Sequence, residues 1–265
     1  MPRVFVALSG GVDSSVAAAL LVERGFAVVG VTMKLLPRAE TGFGCCGSPA
    51  DMEDAKRVCD RLGIPHYTAD MSELFESKVI RPFMEARLSA RTPNPCVECN
   101  RSIKFGRLLG LAEAWGCDTV ATGHYARVED GRLRKAADRD KDQTYFLYSL
   151  TARELARVDF PIGALSKPEV REKARALGLR VADKAESQET CFVPARDVRR
   201  FVASRPESAG AAALCPGEIR DTSGRVRGRH SGLAFYTVGQ RKGLGISSAE
   251  PLYVVRLEVG ENALV

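Results

Sequence analysis

Two groups of residues carry the chemistry this chain could do. The first is Ser9-Gly10-Gly11-Val12-Asp13-Ser14-Ser15, which concentrates hydroxyls and flexible backbone in one short string. Glycines let backbone N–H groups turn toward a ligand. A helix starting there adds free donors and a dipole that favours phosphate. The plainer reading is an N-capped helix after a glycine turn. Asp13 is expected to cap that helix or to hold Mg²⁺, since a carboxylate sits badly against bare phosphate. The second group is Asn94-Pro95-Cys96-Val97-Glu98-Cys99-Asn100. Prolines at 93 and 95 argue against helix there, and Asn100 is placed to cap the helix that follows. Cys99 would then lie near a helix N-terminus, where a thiolate is stabilised, with Arg101 and Lys104 favouring it further. Two thiols at this spacing also suit half a structural zinc site or two buried side chains.

The elements needed to position these residues are legible as a pattern. Val4–Leu8 reads as a buried strand and Asp13–Arg24 as a helix stopped by Gly25. Ala27–Met33 is a second β-branched run. Ser48 and Pro49 open another helix as N-cap and first-turn residue, ending at Gly63. His66–Asp70 and Thr119–Thr122 read as further strands, and Ser166-Lys167-Pro168-Glu169 as a capping box whose helix runs to Gly178. This β-α-β-α alternation predicts a doubly wound α/β parallel sheet covered on both faces. Cys45 and Cys46 fall in a glycine-rich loop expected to be exposed and to order around a ligand. Cys59 and Trp115 read as core, and His66 as satisfying a backbone group.

At 265 residues, with 45% hydrophobic and 27% charged residues, the chain is an ordinary globular protein of one or two domains. No apolar run approaches the roughly 20 residues of a spanning helix, and the N-terminus does not read as a signal peptide. A cytoplasmic, reducing location is expected, so the eight cysteines are not a disulfide scaffold. The formal charge is +6. Residues 192–242 hold ten Lys or Arg against four Asp or Glu, so the net charge of the protein resides there. That segment, with its glycines and the short β-like run Leu233–Val238, reads as a small basic domain. The expected division is a catalytic domain over 1–195 and a basic, mainly β domain over 196–265. Arg225, Arg227, Arg229, Arg241 and Lys242 are candidates for phosphate contacts.

The loop is neither G-x-x-x-x-G-K-[ST] nor G-x-G-x-x-G. It resembles the SGGxDS loop of the ATP pyrophosphatases, which cleave ATP to AMP and pyrophosphate. That chemistry occurs at the α-phosphate, which fits the missing loop lysine. Together with TPNPCVECNRSIKF, ATGHYARV, KDQTYFLY, ETCFVP and GQRKGLGI, it resembles bacterial tRNA-specific 2-thiouridylases along almost the whole chain. The resemblance implies a transferase that uses ATP and Mg²⁺ to replace O2 of the wobble uridine, position 34, by sulfur. It implies catalytic roles for Cys99 and for Cys191, the latter as persulfide carrier. It places ATP at Ala7, Leu8, Ser9, Gly10, Gly11, Val12, Asp13, Ser14, Met33 and Gly123. The target base or tRNA falls to Asn94, Pro95, Cys96, His124, Lys141, Asp142 and Gln143. The implied partners are tRNAs of the Lys, Glu and Gln type and a sulfur-donor protein, a cysteine desulfurase or its relay, with no membrane. Many members carry Asp where this chain has Cys96, and members usually continue into a third β-barrel domain.

Two routes to sulfur transfer stay open. In one, a Cys191 persulfide and Cys99 share the work through a disulfide. In the other, Cys96, Cys99 and Cys191 hold an iron–sulfur cluster with one open iron. A rival function is a small-molecule ATP pyrophosphatase of the amidotransferase type, which needs neither thiol.

Overall fold

In the computed structural model, residues 1–36, 48–185, 190–193 and 197–265 are described; Cys45 and Cys46 lie outside them. The chain divides into two units, Met1–Lys78 with Cys96–Phe192, and Val79–Pro95 with Val193–Val265. The inclusion of 79–95 in the second unit has no counterpart in the linear pattern. Those residues read locally as one more helical stretch.

The first unit is built on a five-stranded sheet. Its strands are β1 (Arg3–Ala7), β2 (Ala27–Lys34), β3 (His66–Asp70), β4 (Thr119–Thr122) and, at the far edge, Val158–Asp159. The order is β3-β2-β1-β4 and then the edge pair, with every pairing parallel. The strand order reverses between β1 and β4, so their carboxyl ends open a crevice where ligands of such sheets bind.

Helices α1 (Val12–Glu23) and α2 (Pro49–Leu62) lie on this sheet. Val4, Val6 and Leu8 of the β1 segment pack with Ala18 and Leu21 of α1 and with Ala55 and Cys59 of α2. The other side of α1, through Val16 and Ala17, packs with Val170 and Ala174 of the helix Lys167–Ala176 and with Ile162. With apolar neighbours on two sides, α1 reads as nearly continuous alanine, leucine and valine rather than as a stripe.

The capping signals operate as the sequence indicates. Ser48 accepts from the Asp51 amide and Gly63 closes α2 in the left-handed region at φ 68°. Ser166 and Glu169 form a reciprocal capping box. Several local readings are corrected. The cysteine segment is helical from Pro95, which occupies the first turn where its missing N–H costs nothing. A π-helical stretch, Cys99–Arg107, follows without a break. Cys96 rather than Cys99 therefore lies nearest the helix start, and Asn100 is an interior residue donating to the Phe146 carbonyl at 3.0 Å, not a cap. Trp115 is 42% exposed, resting its ring against Phe5 and Tyr67 on the sheet's flank. His66 pairs with the Thr32 hydroxyl at 2.8 Å instead of a backbone group.

The second unit holds a four-stranded sheet. Gly217–Arg220 pairs with Val226–His230 on one side and with Ala263–Leu264 on the other, and the latter pairs with Leu257–Glu258. Ile219, Leu233, Tyr236, Leu244, Val254 and Leu264 form its core with Ala90. Leu233–Phe235 is a 3-10 turn rather than a strand. No described helix is long and apolar enough to cross a membrane.

Candidate nucleotide and thiol site

The crevice at the ends of β1 and β4 is a cavity of about 290 Å³. Ala7, Leu8, Ser9, Gly11, Val12, Asp13, Ser14, Met33 and Gly123 all line it, which gathers the expected nucleotide residues from three strand ends and one helix start. Gly10 does not line it but makes the loop possible. Its φ is +70°, and a Cβ there would stand 2.3 Å from the Asp51 carbonyl oxygen. Gly123 is required for a different reason, because a Cβ would meet the Ser14 amide nitrogen at 2.5 Å. The two glycines bring the loop against the start of α2 and the end of β4 against the start of α1.

Inside the loop the hydroxyls partly satisfy one another. Ser14 Oγ accepts from the Ser9 amide at 3.1 Å, and Ser15 Oγ donates to the Gly11 carbonyl at 2.8 Å. The N-cap is Gly11, and no side chain caps α1. The first-turn N–H groups of α1, which have no intrahelical acceptor, therefore remain for a ligand. Asp13 neither caps this helix nor stands open to a metal. Both of its oxygens accept from Lys167 Nζ at 2.8 Å, and Oδ1 also accepts from the Tyr125 hydroxyl at 2.9 Å. Lys184 Nζ donates to the Gly10 carbonyl at 2.9 Å, to Asp51 at 2.8 Å and to Asp54 at 2.6 Å. Burial works against its charge, but the two carboxylates outweigh this and hold its pKa above the ordinary lysine value.

Four lysines line the cavity, namely Lys104, Lys141, Lys167 and Lys184. Sequence reasoning placed none of them at the nucleotide. One signal was available for Lys167. A lysine in the first turn of a helix opposes the macrodipole, so an anionic partner was to be expected there.

Lys104 lines the cavity and its charge also bears on Cys96. Its ammonium lies 3.4 Å from His124 Nε2. His124 is buried, and its Nδ1 is 2.7 Å from the Thr122 hydroxyl. Burial first, and then the Lys104 charge, drive its pKa well below the ordinary histidine value, so the ring is neutral at pH 7. With Lys104 donating to Nε2, the proton sits on Nδ1 and is donated to Thr122, an assignment made from the network. The same Lys104 acts on Cys96. Burial and the neighbouring Cys191 raise that thiol's pKa, and Lys104 partly opposes them. Cys96 and Cys191 are thus close enough to sense each other's charge. Both, like Cys99, are half-buried.

Among the described residues, no group of three His, Cys, Asp or Glu side chains could hold a metal ion. That holds for Cys96, Cys99 and Cys191, the donor set expected for an iron–sulfur cluster. The remaining expected contacts are dispersed. Lys141, Gln143 and His124 line the nucleotide cavity itself. Gln143 accepts from the Tyr125 amide at 2.9 Å, and Asp142 accepts from the Ala136 amide at 2.8 Å and the Thr144 hydroxyl at 2.6 Å, so both hold the fold together. Asn94 and Pro95 belong to the second unit.

Comparison with known proteins gives a consistent result. A family model described as tRNA methyl transferase HUP domain matches residues 2–195, and one described as tRNA methyl transferase PRC-barrel domain matches 209–265. The chain is 49% identical to tRNA-specific 2-thiouridylase MnmA of Heliobacterium modesticaldum, with 99% of this chain and 69% of that protein aligned. It is 52% identical to the protein of the same name from Sorangium cellulosum, again over 99% and 69%. Among solved structures, a 4-thiouridine synthetase–RNA complex with bound ATP matches 73% of this chain and 46% of its own, with a TM-score of 0.50 and 21% identity. That likeness is one of fold.

Proposed function

Because the chain belongs to the tRNA-specific 2-thiouridylase family, we propose that it replaces O2 of a wobble uridine in tRNA by sulfur, at the expense of ATP. The observation that carries this reading is the position of Lys104. It lines the phosphate-loop cavity, and its charge favours the Cys96 thiolate, which supports a reading in which activation and sulfur transfer share one place.

The chemistry needs both halves. Uracil O2 is a poor leaving group. Its attack on the α-phosphate of ATP forms an O2–P bond, breaks the bond to pyrophosphate and turns O2 into part of AMP. Negative charge develops on the departing pyrophosphate, and the N–H groups of the α1 first turn together with the cavity lysines are oriented to take it. Mg²⁺ accompanies ATP as counter-ion to its phosphates. The carboxylates of Asp13 and Asp51 are already matched to Lys167 and Lys184, so no protein ligand is assigned to it. In the second step the terminal sulfur of a Cys191 persulfide attacks C2 and AMP leaves. The Cys99 thiolate then attacks the Cys191 sulfur, which releases 2-thiouridine and leaves a Cys99–Cys191 disulfide for an external thiol to reduce. Attack of Cys99 before transfer would instead release hydrogen sulfide as the nucleophile; the same two thiols serve. The neutral His124 and the protonated Lys104 suit a base pocket in which the donor next to the nucleotide is the lysine. The sulfur donor is a persulfide-bearing protein, and the substrates are tRNAs with uridine at position 34.

The test is an anaerobic incubation with unmodified wobble-uridine tRNA, Mg-ATP and a persulfide donor, read by nucleoside mass spectrometry. The expected product is 2-thiouridine. Cys191→Ser is expected to abolish it while AMP formation on tRNA continues. Normal thiolation by that variant would overturn the relay, and AMP formation that ignores tRNA would point to a small-molecule substrate.

A further inference from the structure

Residues Thr144–Phe146 make a 3-10 turn. The turn is fixed from beneath. Leu147 and Leu150 are buried, Asn100 Nδ2 donates to the Phe146 carbonyl at 3.0 Å, and Asp142 holds the Thr144 hydroxyl. Yet Tyr145 is 66% exposed and Tyr148 69% exposed. Their ring centroids are 6.4 Å apart and inclined at 47°, and Tyr145 is further set by the edge of Phe146 at 5.6 Å. Single exposed aromatics are ordinary. Two together, one on the 3-10 turn and one on the turn that follows it, held by Asn100, the residue after Cys99, are a surface in a defined place.

We propose that Tyr145 and Tyr148 form a stacking platform for single-stranded nucleobases of the RNA substrate, next to the uridine that enters the cavity. The inference rests on the proposed activity. Tyrosine offers a flat apolar face at little conformational cost, and base–aromatic stacking tolerates any base. A uridine presented to an enzyme must leave its own stack, so its neighbours lose a partner and gain one here. Charge is complementary to RNA. Lys141, three residues before the turn, lines the cavity, and the strand Arg132–Lys135 that adjoins the turn exposes Arg132, Arg134 and Lys135. Phosphates flanking the stacked bases would meet those cations.

The test uses the full chain, an anticodon stem-loop RNA with a wobble uridine, and 2-aminopurine placed beside that uridine. Tyr145→Ala and Tyr148→Ala should each weaken RNA binding by roughly ten-fold and abolish the quenching of 2-aminopurine. Tyr145→Phe and Tyr148→Phe should bind as the wild type does, because the ring and not the hydroxyl does the stacking. The slope of log Kd against log salt should stay unchanged, since no phosphate contact is lost. Binding of a fluorescent ATP analogue serves as the check on folding. Unchanged RNA affinity in the alanine variants overturns the platform. So does unchanged affinity combined with lost sulfur transfer from the persulfide donor, which would assign the rings to a protein interface. A wild-type chain that binds no stem-loop RNA removes the proposed function itself, and the platform with it.

Discussion

The ammonium of Lys167 lies 2.8 Å from both carboxylate oxygens of Asp13, joining the start of one helix to the start of another across the nucleotide cavity. The lysine is 7% exposed and the aspartate 31%. Removing one member of such a pair strands the other charge in a poorly solvated place. Lys167→Met is expected to lower stability by up to about 3 kcal/mol and to weaken ATP binding. Asp13→Asn combined with Lys167→Met should recover most of the stability but not the binding. Urea unfolding and ATP titration of the three proteins separate the two effects; full recovery of ATP affinity in the double variant would show that the pair serves only the fold.

The close approach of β4 to α1 gives a steric prediction. Gly123→Ala puts a methyl group 2.5 Å from the Ser14 amide nitrogen, so either the loop or the strand end must move. The expected outcome is loss of ATP binding and a destabilisation of roughly 1–3 kcal/mol, the range of overpacking. Gly110 provides the contrast. It lies within the helical turns Leu108–Ala114 with nothing within 4 Å of an added Cβ, so Gly110→Ala should stabilise by about 0.5–1 kcal/mol. Thermal melts of both variants test the pair of signs.

Protonation of His124 sets an acid limit. Its folded pKa is lowered from 6.5 by burial and by Lys104. In the unfolded chain the ring takes up a proton near pH 6.5, whereas in the folded chain it does not until lower pH. Stability from this group is therefore complete above pH 6.5 and is lost as pH falls toward the folded value. His66 is shifted the same way, chiefly by burial, so the assignment needs site resolution. Histidine NMR should show His124 neutral at pH 6. Lys104→Met should raise its pKa, and an unchanged titration would mean that burial alone sets it.

Thiol reactivity should be graded by environment. Burial, and then Asp60, push the Cys59 thiol up to about 12, so it is both shielded and protonated. Cys215 is exposed. Peptide mapping after brief iodoacetamide treatment should find Cys215 alkylated and Cys59 untouched until the protein is unfolded. Early labelling of Cys59 would mean that the contact between α2 and the sheet opens readily.

Local signals read from the chain survive folding because they are short-range. The Ser48 cap, the Ser166–Glu169 box and the glycine stops join residues close in sequence, and the strand runs are marked by contiguous β-branched residues even though their partners lie far off, Val4 opposite Val28 and Thr119. The phosphate loop was legible for the same reason, since its glycines and hydroxyls are contiguous. The helix starting at Pro95 was not, because a proline reads equally as a breaker and as a first-turn residue. Only the helix that follows, anchored by Asn100 to Phe146, selects between them.

What the sequence by itself determined is the family, the parallel α/β unit and the place of the loop between β1 and α1, all carried by residue types in contiguous runs. What only the tertiary structure decided is which charges meet. Lys167 finds Asp13 across 154 positions and Lys184 finds Gly10 across 174. Lys104 reaches His124 because the π-helical stretch and the end of β4 face one cavity. Such pairings depend on strand order and helix rotation, which no local spacing encodes. Among them, the carboxylates around Lys184 hold its pKa up, and burial with Lys104 holds that of His124 down.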